Sequence, residues 1–253
     1  MASHFVSYGD QNFSNSIKRI RNEAENMGVF SSINIYDSNN IYDEAFKTQF
    51  NYVLNRSKGS GYWIWKYYLI QKKLQEIEEN DFIVYCDAGC SLNPTGKDRY
   101  YEYLELLNQS EYGILSFQLD PVCVEKHWTT KELFDYFCID VSSDHANTAQ
   151  MCATVLIIKK NAHSENILKE YRRLLDFDQR LITDYYNQHQ QPFFKDARHD
   201  QSIWSLLCKR YGSVKIPLDE TIYHALIESS VPNWGSTNTD KYKYPFWATR
   251  IKY

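Results

Sequence analysis

The sequence predicts an α/β fold, a sandwich of helices around a mostly parallel central sheet. Three observations carry this. Short apolar runs alternate with segments of helical period along most of the chain. The run Asp81-Phe82-Ile83-Val84-Tyr85-Cys86-Asp87-Ala88-Gly89-Cys90 stops at a carboxylate, with a glycine two residues later. A buried strand ending this way offers one charged oxygen ligand beside backbone that carries no side chain. Met151 to Ile158 is almost wholly apolar, as a strand covered on both faces must be.

The elements follow in order. His4 to Tyr8 reads as a first strand. Residues 13–27 read as a helix, with Ile17, Ile20, Ala24 and Met27 on one face and Gly28 as its C-cap. Ser32 to Tyr36 is a second strand and Tyr42 to Leu54 a second helix. Lys58-Gly59-Ser60-Gly61 is a turn, and Trp63 to Glu78 a helix leading into the Asp87 strand. A helix carrying Tyr100, Tyr103, Leu104 and Leu107 and a strand from Tyr112 to Phe117 come next. Thr129-Thr130-Lys131-Glu132 has the spacing of a capping box. Ile167, Leu168, Tyr171, Leu174 and Leu175 mark a long amphipathic helix; Asp200 to Tyr211, closed by Gly212, is another. Val214 to Ile216 is a last short strand, and the tail from Val231 is rich in Pro, Trp and Tyr. Asp140 to Gln150, polar and turn-rich, is a candidate mobile loop near the site.

Composition narrows the function. A chain of 253 residues buries about 70–75% of its unfolded surface and needs no disulfide or metal to hold its core. The net charge of −4 and the lack of a long basic run argue against nucleic acid as a partner. Lys18-Arg19-Ile20-Arg21 and Lys169-Glu170-Tyr171-Arg172-Arg173 read as solvated helix faces. The six cysteines form no CxxC pair and read as buried free thiols of a reducing cytosol. No signal peptide opens the sequence, and its apolar runs are too short to span a bilayer, so a cytoplasmic protein is expected. Aromatic residues make up 16%, including 21 Tyr, and flat rings with a polar tip suit sugar faces.

Gly61-Tyr62-Trp63-Ile64-Trp65-Lys66, Tyr85-Cys86-Asp87-Ala88-Gly89-Cys90 and Arg198-His199-Asp200-Gln201-Ser202, in this order and spacing, resemble GT-A-fold glycosyltransferases. The resemblance is to those of large DNA viruses of the chlorovirus type and of bacterial capsule or lipopolysaccharide clusters, and covers roughly residues 4–250. It implies a Rossmann-like three-layer sandwich over 1–253, with a nucleotide-binding half over about 1–120 and an acceptor-side half over about 121–253. It implies sugar transfer from a nucleotide-sugar donor, a UDP-sugar, to a glycan or glycoconjugate acceptor, in the host cytoplasm if the protein is viral. Asp87 matches the first carboxylate of the Asp-x-Asp signature that binds a divalent metal on the donor diphosphate, while Gly89 replaces the second. Mn²⁺ or Mg²⁺ on Asp87, with Ala88 and Gly89 against the diphosphate, is therefore the expectation, although such ions want several oxygens.

The resemblance also assigns roles. Lys66 meets the phosphates or a uracil carbonyl; where similar enzymes read Trp-Lys-Pro, Tyr67 stands here. Tyr8 stacks on the base and Asp10 bonds it, at the end of the first strand. Asp200 and Gln201 open a helix near the reacting carbon, where free N–H groups also gather. Asp200 serves as general base if the reaction inverts, or orients the donor sugar if it retains. His199 contacts phosphate or metal, or is structural. Trp63, Glu125 and Trp128 face acceptor or donor sugar, and Arg250 meets the diphosphate through its guanidinium fork. A pyrophosphorylase would want a Gly-rich loop where Ser7-Tyr8-Gly9-Asp10-Gln11 stands, and a glycoside hydrolase two paired carboxylates. The remaining alternative is a catalytically inactive module that binds sugar or nucleotide-sugar.

Overall fold

The computed structural model describes residues 1–38, 41–187, 189–217, 220–222 and 243–252. The expected tail from Val231 thus begins outside the described residues. Strands β1 (Ser3–Tyr8), β2 (Ser32–Tyr36), β3 (Phe82–Cys86), β5 (Ile114–Gln118), β6 (Val155–Lys159) and β7 (Val214–Pro217) form a six-stranded sheet of order β2-β1-β3-β6-β5-β7. β4 (Ser91–Leu92) and β8 (Phe246–Trp247) pair separately and antiparallel. Five long helices cover the sheet: α1 (Ser14–Met27), α2 (Ile64–Glu76), α3 (Lys97–Asn108), α4 (Ala162–Phe177) and α5 (Asp200–Tyr211).

Alternation along the strands builds two cores. Phe82, Val84 and Cys86 of β3 meet Ile20, Ala24 and Met27 of α1 and Tyr100 and Tyr103 of α3. Ile83 and Tyr85 point the other way, into a core with Ile64 and Leu69 of α2, Ile167 and Leu174 of α4 and Ile203 of α5. Each Ile, Leu, Val, Phe or Met among them, fully buried, contributes about 1.5–3 kcal/mol. The protein is a three-layer α/β sandwich with a mostly parallel sheet, as its sequence predicts.

The exception to parallel order places the site. β1 runs parallel to β2 and β3, and β5 parallel to β7, but β6 runs antiparallel between β3 and β5. The edge where β1, β3 and β5 end is therefore the edge where β6 begins. The Gln150–Thr154 segment enters the sheet there, beside Asp87, whose N–H donates to the Thr154 carbonyl at 3.0 Å.

Several boundaries differ from expectation. Tyr42–Leu54 divides at Phe50 into Glu44–Gln49, capped by the Asp43 side chain, and Asn51–Leu54. Thr130, not Thr129, caps the helix Lys131–Tyr136. Asp140–Gln150 carries a short helix, Asp144–Asn147, and ends on a fully buried Gln150, so its polar residues fold inward as well as out.

Candidate active site

A cleft in two lobes opens along this edge, with volumes of about 350 and 390 Å³. Trp63, Asp87, Thr154 and Arg250 line both lobes and mark their junction. The first lobe reaches Trp128, Asp200 and Gln201; the second reaches Tyr8, Asp10, Ala88 and Gly89.

The wall that carries Trp63 is built from a backbone of unusual hand. Gly59, Ser60, Gly61, Tyr62 and Trp63 all have positive φ, from 50° to 92°. Three of them are not glycine, and each pays the steric cost of a Cβ in that region. The turn puts Trp63 at the start of α2 and leaves Trp65 inside, its Nε1 donating to the Gly59 carbonyl at 3.0 Å. Tyr8 is buried as well, its ring 4.2 Å from that of Trp65, so the two form one wall of the second lobe. Asp10 caps the turn after β1 by accepting from Asn12 N–H at 2.8 Å, and takes a second bond from the Ser60 hydroxyl at 3.0 Å.

Lys66 is the electrostatic centre. Its side chain is 7% exposed, and Nζ lies 2.8 Å from Asp200 and 3.3 Å from Asp87 while donating to the Ala153 carbonyl at 2.8 Å. Burial works against its charge, but the two carboxylates outweigh it and hold its pKa above the ordinary lysine value. Burial likewise pushes the Asp200 carboxyl up, opposed by Lys66. Helix α2, the end of the strand β3 that follows it and helix α5, which comes much later in the chain, converge on one ammonium.

His199 precedes α5 with φ 52° and ψ −116°, a region a side chain rarely occupies. Its Nε2 pairs with Asp184 at 2.8 Å and its ring packs between Tyr62 and Trp63. Asp184 also pairs with Lys58 at 3.0 Å. Burial lowers the imidazole pKa. His199 also lines the first lobe, so the pair with Asp184 fixes its ring at the cleft wall.

One sequence expectation is corrected outright. Glu125 is fully buried and reaches neither lobe: it accepts from Thr129 and Gln150 at 2.6 and 2.8 Å and from Ser205, and pairs with Lys209 at 2.9 Å. A carboxylate near a tryptophan reads like a sugar-binding loop in sequence, but here its partners beyond the neighbouring Thr129 arrive from two other segments, Gln150 and helix α5. Trp128 does line the first lobe, with the Arg198 guanidinium 4.2 Å over its ring. Gln201 lies beside it, donating to Gln150 at 2.9 Å.

The Mn²⁺ or Mg²⁺ expectation finds one ligand. Among the described residues no group of three or more His, Cys, Asp or Glu converges. The Asp87 Oδ1 already accepts from the Tyr85 hydroxyl and faces Lys66. Gly89 turns toward the C-terminal segment, its carbonyl taking bonds from Ile251 N–H and the Thr249 hydroxyl at 3.0 and 2.8 Å. This donor set does not fit a resident divalent ion, which needs several oxygens.

Sequence reasoning missed Arg19 and Thr154. Arg19 sits in a basic run that reads as surface, yet its guanidinium holds the Asp87–Cys90 turn by donating to the Ala88 and Cys90 carbonyls at 3.0 and 2.9 Å. No local pattern signals such a bond.

Sheet and cleft together define an α/β protein whose candidate ligand site opens at the carboxyl edge of its parallel strands, the usual place in open α/β sheets. No family model and no curated protein matches the sequence. Among solved structures, the chain is similar to the glycosyltransferase GlyE of Streptococcus pneumoniae TIGR4, at 14% identity and TM-score 0.44 over 87% of its own length, and spans 46% of that chain. It is similar to a glycosyltransferase involved in glycosylation of the major capsid of PBCV-1, at 11% identity and TM-score 0.46, covering 98% of this chain and 94% of that one. It is also similar to mouse xyloside xylosyltransferase 1, at 10% identity and TM-score 0.46, covering 88% and 87%.

Proposed function

We propose that this protein is a nucleotide-sugar-dependent glycosyltransferase that acts in the cytoplasm on a UDP-sugar donor and a glycan or glycoconjugate acceptor. The observation that carries the reading is the Asp87–Lys66–Asp200 array, which lines the first lobe of a two-lobed cleft and reaches the junction through Asp87. The second lobe, walled by Tyr8 and Trp65, takes the nucleotide; the first, with Trp128 and Gln201, takes the donor sugar and the acceptor. An acceptor hydroxyl attacks the anomeric carbon as the bond to the diphosphate oxygen breaks. The charge that develops on the departing diphosphate is met by the Lys66 ammonium and the Arg250 guanidinium, and stabilising it is the main demand on such a site. Asp200, next to Lys66, takes the hydroxyl proton if configuration inverts and orients the donor sugar if it is retained.

The test is UDP release from a panel of UDP-sugars, with and without Mn²⁺ or Mg²⁺, by the wild type and by Asp87→Ala. Release with one donor, lost in the variant, supports the reading. Free sugar liberated from an oligosaccharide alone, or saturable donor binding without turnover, overturns it.

A further inference from the structure

A buried polar cluster outside the ion-pair array runs from Lys209 to the cleft. Glu125 and the Lys209 side chain are 0% and 3% exposed, with 2.9 Å between their charges. Gln150, also 0% exposed, donates Nε2 to Glu125 at 2.8 Å and to the Thr129 hydroxyl at 3.1 Å, and accepts Gln201 Nε2 on its Oε1 at 2.9 Å. Gln201 lines the first lobe beside Asp200, and its own Oε1 accepts a long bond from Ala153 N–H at 3.4 Å, with a second lone pair left for the cleft.

The direction of this chain is dictated from its buried end. A carboxylate paired with an ammonium has only lone pairs to offer. Gln150 must turn its NH₂ to Glu125, which leaves its oxygen for Gln201. Gln201 must then turn its own NH₂ inward. We propose that Glu125 and Gln150 are positioning residues that lock the Gln201 amide, so that this residue presents an acceptor oxygen to the cleft. Resting on the glycosyltransferase reading, this selects a donor sugar or acceptor that brings a hydroxyl to that point, and disfavours a deoxy analogue, which leaves that oxygen only its long bond from Ala153 N–H.

The chain gives the test its signs. Glu125→Gln puts an amide at the buried end, which lets Gln150 and then Gln201 turn over and present NH₂ to the cleft. Gln201→Glu restores oxygen at the cleft in that background, while in the wild type it opposes the Gln150 oxygen. Each single substitution therefore lowers kcat at least ~10-fold with less change in donor KM, and the double variant recovers most of it. Unfolding midpoints follow the same pattern, each single falling and the double regaining part, and this reading needs no donor. If the wild type turns over no nucleotide sugar, the function proposed above fails, while the midpoints still decide the chain. Simple additivity in midpoints overturns it. Should Glu125→Gln not fold, Gln150→Met cuts the chain and keeps the Glu125–Lys209 pair; unchanged kcat in that variant also overturns the proposal.

Discussion

Lys66 illustrates how a residue can be legible as important and illegible in its role. A lysine after two tryptophans at a helix start reads equally as a surface cation; only burial, with two carboxylates within 3.3 Å, gives it a task. Lys66→Met leaves Asp87 and Asp200 facing each other without a counter-ion. Urea unfolding is expected to show a loss of about 3 kcal/mol, as when one partner of a buried pair is removed; a change below about 0.5 kcal/mol would contradict the ion-pair role. His199 carries a pH dependence. Burial lowers its pKa beneath the unfolded value of 6.5, so below pH 6.5 the unfolded chain binds more protons than the folded one. Stability contributed by the neutral imidazole is present above 6.5 and lost as pH falls from there toward the folded pKa. Thermal midpoints of the wild type are expected to fall between about pH 7 and 5.5, with a flatter slope in His199→Asn; equal slopes would assign the effect elsewhere.

At the scale of elements, the turn after β3 is held from two sides. Arg19 of α1 grips its carbonyls, and the segment after β8 lies across Gly89. A Cβ on Gly89 would stand 3.1 Å from Arg250 Cα and 3.4 Å from its carbonyl carbon, both backbone atoms. The position where the Asp-x-Asp signature carries its second carboxylate is thus roofed by the chain's own C-terminal segment. Gly89→Asp is therefore expected to push that segment away and weaken nucleotide binding, measured by calorimetry with UDP, without gaining a response to Mn²⁺. Tighter UDP binding with Mn²⁺ in the variant would show that the segment yields and that a second carboxylate was all the site lacked.

Over the whole molecule, the proposed function divides the work between the two lobes. Asp87 touches both, whereas Asp200 lines only the first. Asp87→Ala is expected to weaken UDP-sugar binding itself. Asp200→Asn should hold donor affinity nearly constant and cut turnover by ~10²-fold or more if the carboxylate is the base. Full turnover in Asp200→Asn would leave it an orienting role at most. The sheet, its long helices and the two stretches that hold Asp87 and Asp200 were legible because apolar period and end signals are local: Gly28 takes φ 59° as the C-cap of α1, and Gly212 closes α5. The Glu125 network was not, because Thr129, Gln150, Ser205 and Lys209 meet it from as far as 84 positions away in the chain. By itself the sequence determined the main strands and long helices and which carboxylates stand at their ends, since those choices depend on neighbours along the chain. Only the tertiary structure decided that Lys66 joins two of those carboxylates, that Glu125 is sealed away and that Gly89 lies under the C-terminal segment. Burial and charge pairing are set by what packs in space, and residues that meet this way leave no common pattern in the order of the chain.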